Sequence, residues 1–312
     1  MYKYTIIIPH KNIPKLLKRC LDTIPRRKDI QVIIIDDNSD PTLTDFKTFP
    51  GINENNIDVF FTKENKGAGY ARNIGLKHAK GKWIIFADAD DIFLEDFEYL
   101  LSIVENIKAD IIYFNTKSKD SETLIDNNET LIYNEHISNA YNKDINNIKY
   151  KIIPPWGKIY DKDFLDKNNL LFEEIKHSND VRFSIYADFY AKKLSIIPIT
   201  AYCWMTRHDS LYHKRSIDWA INRFHVSIGI YQFMKQHQIE ELIKYYYNDT
   251  YYYLNQIKQY SLNKYLKCLF IFGYKTNSMK TIFFQCPILL IHIIKKKIGI
   301  KKSITSIFYV NK

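Results

Sequence analysis

The sequence predicts an α/β protein with a doubly wound, mostly parallel sheet, followed by a C-terminal helical region. Two observations carry this prediction. Short runs of β-branched and aromatic residues alternate with helical patterns up to about residue 211, and the pattern beyond about residue 213 is helical and tyrosine-rich. With 312 residues and 46% hydrophobic content, the chain can bury the cores of about two compact units.

The predicted strands are short apolar runs that each end at a polar or turn residue. Alternation with helices at this spacing makes the sheet mostly parallel, and ligands of such sheets gather at the carboxyl ends of the strands. The strands span residues 4–10, 31–37, 59–62, 83–90 and 109–115, and the helices between them span residues 12–24, 68–80 and 94–107.

The later part of the sheet region is less regular. Residues 116–150 are polar and rich in asparagine, which predicts an irregular excursion or a weak hairpin. A helix is expected from about 178 to 192, and the strand-like run LSIIPITAYCWM follows it. We therefore expect two domains, at residues 1–211 and 212–312.

The net charge of +10 is concentrated in the C-terminal region. From residue 212 onward there are 16 Lys and Arg against 4 Asp and Glu, whereas the preceding residues hold 29 against 31. This asymmetry indicates an anionic partner, such as a membrane surface or nucleic acid, or a compositional bias. Because no nucleic-acid-binding motif is present, nucleic acid is not expected as a partner.

The cysteines and the N-terminus both favour a cytoplasmic protein. The four cysteines are scattered without a C-x-x-C pair, as expected of reduced core thiols. The N-terminal MYKYTIIIPH has a short apolar run and no small-residue cleavage site. We interpret it as the first strand rather than as a signal peptide.

An apolar segment flanked by lysines lies at residues 281–302. Its run of about fourteen mostly apolar residues is shorter than the ~20 that span a bilayer. The segment favours peripheral attachment to the anionic inner face of the plasma membrane. A helix that packs on the first domain with a solvated lysine face is the alternative.

Three carboxylates follow the fourth predicted strand: Asp88, Asp90 and Asp91. Carboxylates this close repel one another, so we expect a cation between them. Mn²⁺ or Mg²⁺ is the predicted cofactor, because an Asp-x-Asp pair leaves most of an octahedral shell open for water and phosphate oxygens. Acids after a strand also cap helices and close turns, which is the alternative.

Four segments lie in register along the chain: TIIIPHKN (5–12), IIIDDNSD (33–40), ENKGAGYARNIGL (64–76) and IIFADADD (84–91). Together they resemble the family 2 glycosyltransferases with the GT-A fold. The resemblance is strong over residues 4–115, continues more loosely to about residue 211, and does not extend to the tail. It implies a nucleotide-sugar-binding half at 1–115, an acceptor half at 116–211, and transfer of a sugar from a nucleotide-sugar.

The resemblance implies a nucleotide site built from the strand ends. Pro9 would pass near the base of the nucleotide, with His10 beside it. Asp37, with Asp36 as a second candidate, would accept hydrogen bonds from uracil or ribose. An Asx turn that closes the strand is the alternative for both aspartates.

Arg72 and the acidic segment complete the implied donor site. Arg72 follows a glycine pair near a helix start, where it would reach the pyrophosphate or the base edge; an exposed ion-pair residue is the alternative. Asp88 would contact the ribose and the metal, and Asp90 would bind the metal directly. Asp91 would lie behind them or cap the helix at 94–107.

The acceptor half must supply a base that removes the proton of the attacking hydroxyl. The family places a carboxylate at a helix start, usually as a Glu-Asp pair, and the matching residues here are Asn179 and Asp180. The resemblance therefore implies Asp180 as the catalytic base, with the preceding glutamate absent. A helix N-cap is the alternative role for Asp180.

Three further residues are implied as contacts of the donor. Lys158 lies beside Trp156 in a segment that lines the cleft in relatives, and a core anchor is the alternative for the tryptophan. Arg207 and His208 follow the aromatic strand and are expected to contact the diphosphate or the metal. His208 is the third predicted metal ligand.

The sequence thus predicts a metal-dependent, inverting glycosyltransferase that uses a nucleotide-sugar, with UDP as the expected nucleotide. The acceptor is expected to be a glycan, or a lipid-linked glycan in view of the cationic tail. Two alternatives stay open: a nucleotidyl or phosphoryl transferase on an α/β fold, and a catalytically inactive nucleotide-sugar-binding module. Oligomerisation is also left open.

Overall fold

The computed structural model describes residues 1–207 and 215–278. His208 and the 281–302 segment lie outside the described residues, so the structure does not address the predictions made for them. The chain divides into two compact units, Met1–Lys214 and Arg215–Lys312, and each unit is described by itself.

Four strands and two helices form the first part of the sheet region: β1 (Tyr4–His10), α1 (Pro14–Asp22), β2 (Ile30–Asp36), β3 (Ile57–Phe61), α2 (Ala68–His78) and β4 (Trp83–Phe86). The four strands are parallel and lie in the order β3-β2-β1-β4. Every residue of β1 and β2 is buried, as is typical of parallel strands covered on both faces.

The second part of the sheet mixes strand directions. Its elements are β5 (Ile92–Phe93), α3 (Phe97–Val104), β6 (Ile111–Asp120), β7 (Asp126–Asn127), α4 (Leu131–Asn142), a short 3₁₀ helix (Ile145–Ile148), β8 (Lys158–Asp161), α5 (Lys162–Lys167), α6 (Val181–Tyr190) and β9 (Leu194–Thr206). Strand β8 runs antiparallel to β4 and β6, whereas β9 runs parallel to β6. Over the described residues the sheet follows the path β3-β2-β1-β4-β8-β6-β9-β5, with β7 paired to β6.

Two predicted elements differ from the structure. The fourth strand ends at Phe86 rather than at residue 90, so the acidic segment lies in a turn beyond the sheet. Residues 116–150 contain a short antiparallel pairing of β6 with β7, which agrees with the expected weak hairpin, but they also contain helix α4, which was not expected. Ile137 and Ala140 of α4 are buried in the core, a contact that the polar composition of this segment did not indicate.

Two apolar clusters stabilise the first unit, one on each face of the sheet. Neighbouring residues of a strand point to opposite faces. Ile6 therefore packs in the cluster that includes residues of α1 and α3, and Ile7 packs in the cluster that includes residues of α2 and α6. Each fully buried isoleucine stabilises the fold by about 1.5–3 kcal/mol. The strand ends, where the candidate site lies, are thus held by a close-packed core.

The described part of the second unit is helical, as predicted. It consists of α7 (Ile217–Gln236), α8 (Glu240–Tyr260) and α9 (Leu262–Thr276). The tyrosines of α8 divide between core and surface: Tyr246 and Tyr253 are buried, whereas Tyr245 and Tyr252 are exposed. No described helix is both long enough and apolar enough to cross a membrane.

Candidate functional site

The carboxyl ends of β1, β2 and β4 meet at one edge of the sheet, because the three strands are parallel neighbours. His10 and Asp36 are register partners at the ends of β1 and β2. Beyond β4, the N–H of Ala87 donates to the carbonyl of Ile7 at 3.2 Å, and Asp88 follows directly. The fold therefore brings the predicted strand-end residues together.

His10 and Asp36 form a buried pair at this edge. Nδ1 of His10 lies 2.7 Å from Oδ2 of Asp36, and Nε2 accepts the N–H of Ile13 at 3.2 Å. The other oxygen of Asp36 accepts the N–H of Ser39 at 2.9 Å. Burial acts to raise the pKa of Asp36, but the hydrogen bonds from His10 and Ser39 outweigh it and lower this pKa. These contacts fit the alternative role of Asp36, which is to close the turn after β2. Pro9 is buried within β1.

Asp37 organises the loop that precedes α2. Its Oδ1 accepts the N–H of Lys66 at 3.0 Å, and its Oδ2 accepts the N–H of Gly67 at 2.8 Å. Gly67 has a φ of +95°, a conformation that favours glycine. Asp37 is 4% exposed, so its contact with a nucleotide stays a prediction, and its visible role is to hold this loop.

The turn at the start of α2 lies against a second loop, residues 172–180, which we call the 172–180 loop and which leads into α6. A Cβ atom on Gly69 would lie 2.1 Å from the carbonyl oxygen of Glu173 and 2.9 Å from Cβ of Asn179. Only glycine permits this approach. Gly69 therefore makes room for the chain segment that ends at Asp180.

Substitution Gly69→Ala is expected to destabilise the protein. In an ordinary helix interior this change stabilises by about 1 kcal/mol. Here the added methyl group must displace the 172–180 loop, and such overpacking costs about 1–3 kcal/mol. Urea denaturation of the variant measures the free energy of unfolding, and an increase in stability would contradict the close approach.

Arg72 connects the two halves of the candidate site. It is 5% exposed, which excludes the alternative of an exposed ion-pair residue. Its Nη2 donates to Oδ1 of Asp88 at 2.6 Å, and its Nη1 donates to Oδ1 of Asn179 at 2.9 Å. Its guanidinium carbon also lies 5.2 Å from the ring centre of Phe172. An acid at the end of β4 and the residue before Asp180 thus share one cation.

Arg207 pairs with Asp90. Its Nε and Nη2 lie 2.8 Å and 2.6 Å from Oδ2 of Asp90. Burial and the charge of Asp88 raise the pKa of Asp90, and Arg207 opposes this shift. The structure therefore places Arg207 at the acidic segment, next to the predicted metal ligands.

Asp91 lies behind these two carboxylates and is fully buried. Its Oδ2 accepts the hydroxyl of Tyr202 at 2.6 Å, and its Oδ1 accepts the N–H of Met205 at 2.8 Å. The Tyr202 hydroxyl also accepts the N–H of Asp88 at 3.0 Å. Burial, together with the charges of the two neighbouring acids, raises the pKa of Asp91 well above its ordinary value. Asp91 does not cap α3, whose N-cap residue is Asp96.

Arginine side chains balance much of the acidic charge. Arg72 pairs with Asp88 and Arg207 pairs with Asp90, while Asp91 is buried against hydrogen-bond donors. Ion pairing reduces the repulsion between carboxylates. The cations that the structure shows at these acids are arginine side chains, and the metal ion stays a prediction.

A divalent metal nevertheless fits these residues. Each arginine contacts one carboxylate oxygen, which leaves Oδ2 of Asp88 and Oδ1 of Asp90 for a metal. The side chains of Asp88 and Asp90 are 36% and 20% exposed. Among the described residues no group of three or more His, Cys, Asp or Glu side chains could hold a metal. A metal at this site would therefore need water or diphosphate oxygens to complete its shell.

Replacing Tyr202 with phenylalanine is expected to lower the free energy of unfolding by about 1–3 kcal/mol, because the buried carboxylate of Asp91 and the N–H of Asp88 each lose a partner. Thermal or chemical denaturation measures the change. Tyr99→Phe is the matched control, because Tyr99 is 61% exposed in α3. Equal stability of the two variants would show that the hydroxyl of Tyr202 does not hold the acidic turn.

Asp180 ends the 172–180 loop directly before α6. Asp180 occupies the N-cap position of α6, as its alternative role predicted, but its side chain makes no capping hydrogen bond to the helix. Its carbonyl accepts the N–H of Ser184 at 2.9 Å, which anchors its backbone at the helix start. The Asp180 side chain is partly exposed and follows Asn179, the partner of Arg72. The assignment of Asp180 as the catalytic base stays a prediction. Its position beside the partner of Arg72 is compatible with that role.

Lys158 lies in the core of the sheet. It is 1% exposed, its ammonium group donates to the carbonyl of Ile152, and its nitrogen lies 5.4 Å from the ring centre of Tyr113. Burial lowers the pKa of Lys158. This placement does not support the predicted contact with the nucleotide-sugar. Trp156 stacks on Tyr202 with ring centres 5.7 Å apart, which fits the core-anchor alternative.

Sequence reasoning missed three residues that support the site. Arg19 of α1 donates through Nη2 to the carbonyl of Asp90 at 2.6 Å. Tyr202 holds the acidic turn, and Asn73 contacts the 172–180 loop. The sequence did contain a signal for Asn73. This residue lies four positions after Gly69, which is one helical turn along the same face of α2. No comparable signal marked Arg19 or Tyr202.

Comparisons with known proteins bear on the identity of this site. A family model described as Glycosyl transferase family 2 matches residues 5–168. The chain is 23% identical to the putative glycosyltransferase EpsH of Bacillus subtilis, over 77% of this chain and 72% of EpsH. It is 25% identical to the poly(ribitol-phosphate) beta-N-acetylglucosaminyltransferase TarS of Staphylococcus aureus, over 67% of this chain and 36% of TarS.

A solved structure shows the same fold. The crystal structure of residues 1–349 of S. aureus TarS in complex with UDP-GlcNAc matches with a TM-score of 0.66 at 19% identity, and the match covers 88% of this chain and 81% of that one. The predicted GT-A-like fold class is therefore confirmed. The chain spans about a third of the full length of TarS, 36%. Because the family model covers more than half of the 312 residues, including β1 to β4, the acidic turn and β8, this chain belongs to glycosyl transferase family 2.

Proposed function

We propose that this chain is a metal-dependent, inverting glycosyltransferase that moves a sugar from a UDP-sugar to a hydroxyl group of a glycan acceptor. The observation that carries the proposal is the contact of Arg72 with both Asp88 and Asn179. Through this contact Asp88 lies close to the helix start that bears Asp180, which supports a donor site and a base in one place. The TarS complexes with UDP-GlcNAc and with UDP support UDP as the nucleotide.

Asp88 and Asp90 are the residues that would hold Mn²⁺ or Mg²⁺, through the carboxylate oxygens that the arginines leave open. A bound divalent cation would supply positive charge to the departing diphosphate. Arg72 and Arg207 lie at the same two acids, which supports a role for their guanidinium groups as hydrogen-bond donors to diphosphate oxygens.

The acceptor hydroxyl needs a proton acceptor as its oxygen attacks the anomeric carbon of the sugar. Asp180 takes this proton. The bond between the anomeric carbon and the diphosphate oxygen breaks, and its electron pair leaves with UDP. Attack from the face opposite the leaving group inverts the configuration of the sugar. This route needs no covalent intermediate between sugar and enzyme.

We propose a surface glycan, free or lipid-linked, as the class of acceptor. The name of the relative TarS gives poly(ribitol-phosphate) as the polymer that TarS modifies, which supports a polymer with exposed hydroxyl groups. Attachment of residues 281–302 to the inner face of the plasma membrane would bring the enzyme to a lipid-linked acceptor. That segment lies outside the described residues, and the cytoplasmic location and any oligomer likewise stay predictions.

A panel of nucleotide-sugars tests the proposal, with the melting temperature measured in the presence and absence of Mn²⁺. A ligand that binds only the folded protein stabilises it by about 2.7 kcal/mol at a concentration of about 100 times its Kd. We expect a UDP-sugar to raise the melting temperature and Mn²⁺ to increase the shift. Stabilisation by nucleoside triphosphates but by no nucleotide-sugar would contradict the proposal.

The reaction products separate the proposed activity from nucleotidyl transfer. A glycosyltransferase releases UDP from a UDP-sugar, whereas a nucleotidyltransferase releases pyrophosphate from a triphosphate. Slow release of UDP with water as the acceptor is measurable before the natural acceptor is known. Pyrophosphate as the product would establish the alternative activity.

A further inference from the structure

Helix α2 contacts the 172–180 loop through one face. Arg72 and Asn73 lie three and four residues after Gly69, so all three positions share one face of the helix. Gly69 allows the close approach described above, and Arg72 bonds to Asn179. The third residue, Asn73, contacts neither Asp88 nor Asp90 in the described hydrogen bonds and ion pairs. It therefore has no role in the proposed binding of the nucleotide-sugar.

Asn73 holds the backbone at the first residue of this loop. Its Nδ2 donates to the carbonyl of Phe172 at 3.0 Å, and its Oδ1 accepts the N–H of Phe172 at 2.9 Å. Asn73 is 5% exposed and Phe172 is 3% exposed, so water does not readily replace these bonds. An amide supplies both a donor and an acceptor in one planar group, which a carboxylate or a methyl group does not.

The far end of the loop is held by the neighbouring residue of the same helix. Arg72 bonds to the side chain of Asn179, and the carbonyl of Asn179 accepts the N–H of Glu173 at 3.1 Å. The loop is therefore closed on itself and fixed at both ends to α2. Its last residue, next to Asn179, is Asp180.

We propose that Asn73 is a positioning residue for Asp180. By holding the Phe172 backbone, Asn73 fixes the position of Asp180 relative to Arg72 and Asp88. This inference rests on the proposed function, because it takes Asp180 as the base. A displacement of about 1 Å in a reacting group can lower a rate by about 100-fold. Asn73 therefore acts on the transfer step and not on UDP binding.

The test compares Asn73→Ala with Val104→Ala. Val104 is fully buried in α3 and belongs to the cluster on the other face of the sheet, so its variant controls for a general loss of stability. With UDP-GlcNAc as the probe, we expect kcat for UDP release to fall about 10- to 100-fold in Asn73→Ala. The affinity for UDP stays at the wild-type value, and Val104→Ala keeps its kcat at temperatures where it is folded.

Asn73→Asp is a near-isosteric second variant. It keeps an acceptor for the Phe172 N–H but sets a carboxylate oxygen against the Phe172 carbonyl, so its kcat should fall at least as far as that of Asn73→Ala. An equal kcat for Asn73→Ala and Val104→Ala would overturn the inference. A parallel loss of UDP affinity and kcat would also overturn it, because Asn73 would then act through the donor site.

Two further measurements separate this inference from the proposed function. If Asp180→Asn retains turnover, the base assignment has failed, whatever the Asn73 variants do. Hydrogen exchange of the peptide covering residues 172–180 needs no turnover. We expect faster exchange in Asn73→Ala than in Val104→Ala, and equal protection in both would overturn the role of Asn73 in holding the loop.

Discussion

Replacing Asp180 with asparagine is expected to lower kcat for sugar transfer by about 100- to 10,000-fold, the range for loss of a general base. Asparagine has nearly the same shape but cannot take the proton of the acceptor hydroxyl. Because the Asp180 side chain makes no capping bond to α6, the helix should keep its stability. The affinity for UDP should also be unchanged, since the acids at the end of β4 and their arginines are intact. Turnover assays and calorimetry with UDP measure the two quantities.

Asp163→Asn is the matched control for this variant. Asp163 lies in the first turn of α5, also in the acceptor half, and it is exposed. The same chemical change there should leave kcat and UDP affinity at their wild-type values. Full activity of Asp180→Asn would show that another group accepts the proton. Absence of turnover in the wild-type protein, with UDP still bound, would instead favour the inactive binding module.

Replacing Asp90 with asparagine is expected to remove the effect of Mn²⁺ on UDP binding. A neutral amide is a weaker ligand for a hard divalent cation than a carboxylate is. Metal affinity should fall by at least about 10- to 100-fold, which is the cost of losing a residue that merely supports a metal ligand. Titration of Mn²⁺ by electron paramagnetic resonance, with UDP present, measures this affinity without turnover.

Asp96→Asn is the control for the metal site. Asp96 is exposed at the start of α3, six residues from Asp90, and its side chain makes no capping hydrogen bond. Its variant should bind Mn²⁺ and UDP as the wild type does. If Asp90→Asn kept the wild-type metal affinity, Asp90 would not be a metal ligand. If the wild type bound UDP without any response to Mn²⁺, Arg72 and Arg207 would be sufficient countercharges for the diphosphate.

The first strands were predicted well because their signal is local. Strand β1 has the predicted bounds, and β2 is displaced by one residue. Both strands are buried along their whole length, so their apolar runs are uninterrupted. Helix α4 gave no such signal, because only Ile137 and Ala140 in its 12 residues are buried. A weak apolar stripe is recognised only once the surface that it covers is known.

The structure brings most of the predicted site residues together, and their roles stay predictions. The acids at the end of β4 lie at the carboxyl edge of the sheet, with Arg72 and Arg207 beside them. Lys158 is equally basic, but it is buried in the sheet and bonds to a carbonyl. Residue type alone did not distinguish buried Lys158 from Arg72 and Arg207 at the acids, because all three basic residues follow or lie within apolar segments.

The amino-acid sequence by itself determined the alternation of strands and helices, the edge of the sheet at which acids gather, and the family. Only the tertiary structure decided which cation faces which acid. Arg207 reaches back 117 positions to Asp90, and Arg72 bonds to Asp88 and also to Asn179, which is 107 positions away. Periodicity depends on residues a few positions apart, whereas these contacts depend on side chains that the folded sheet brings within 3 Å of each other.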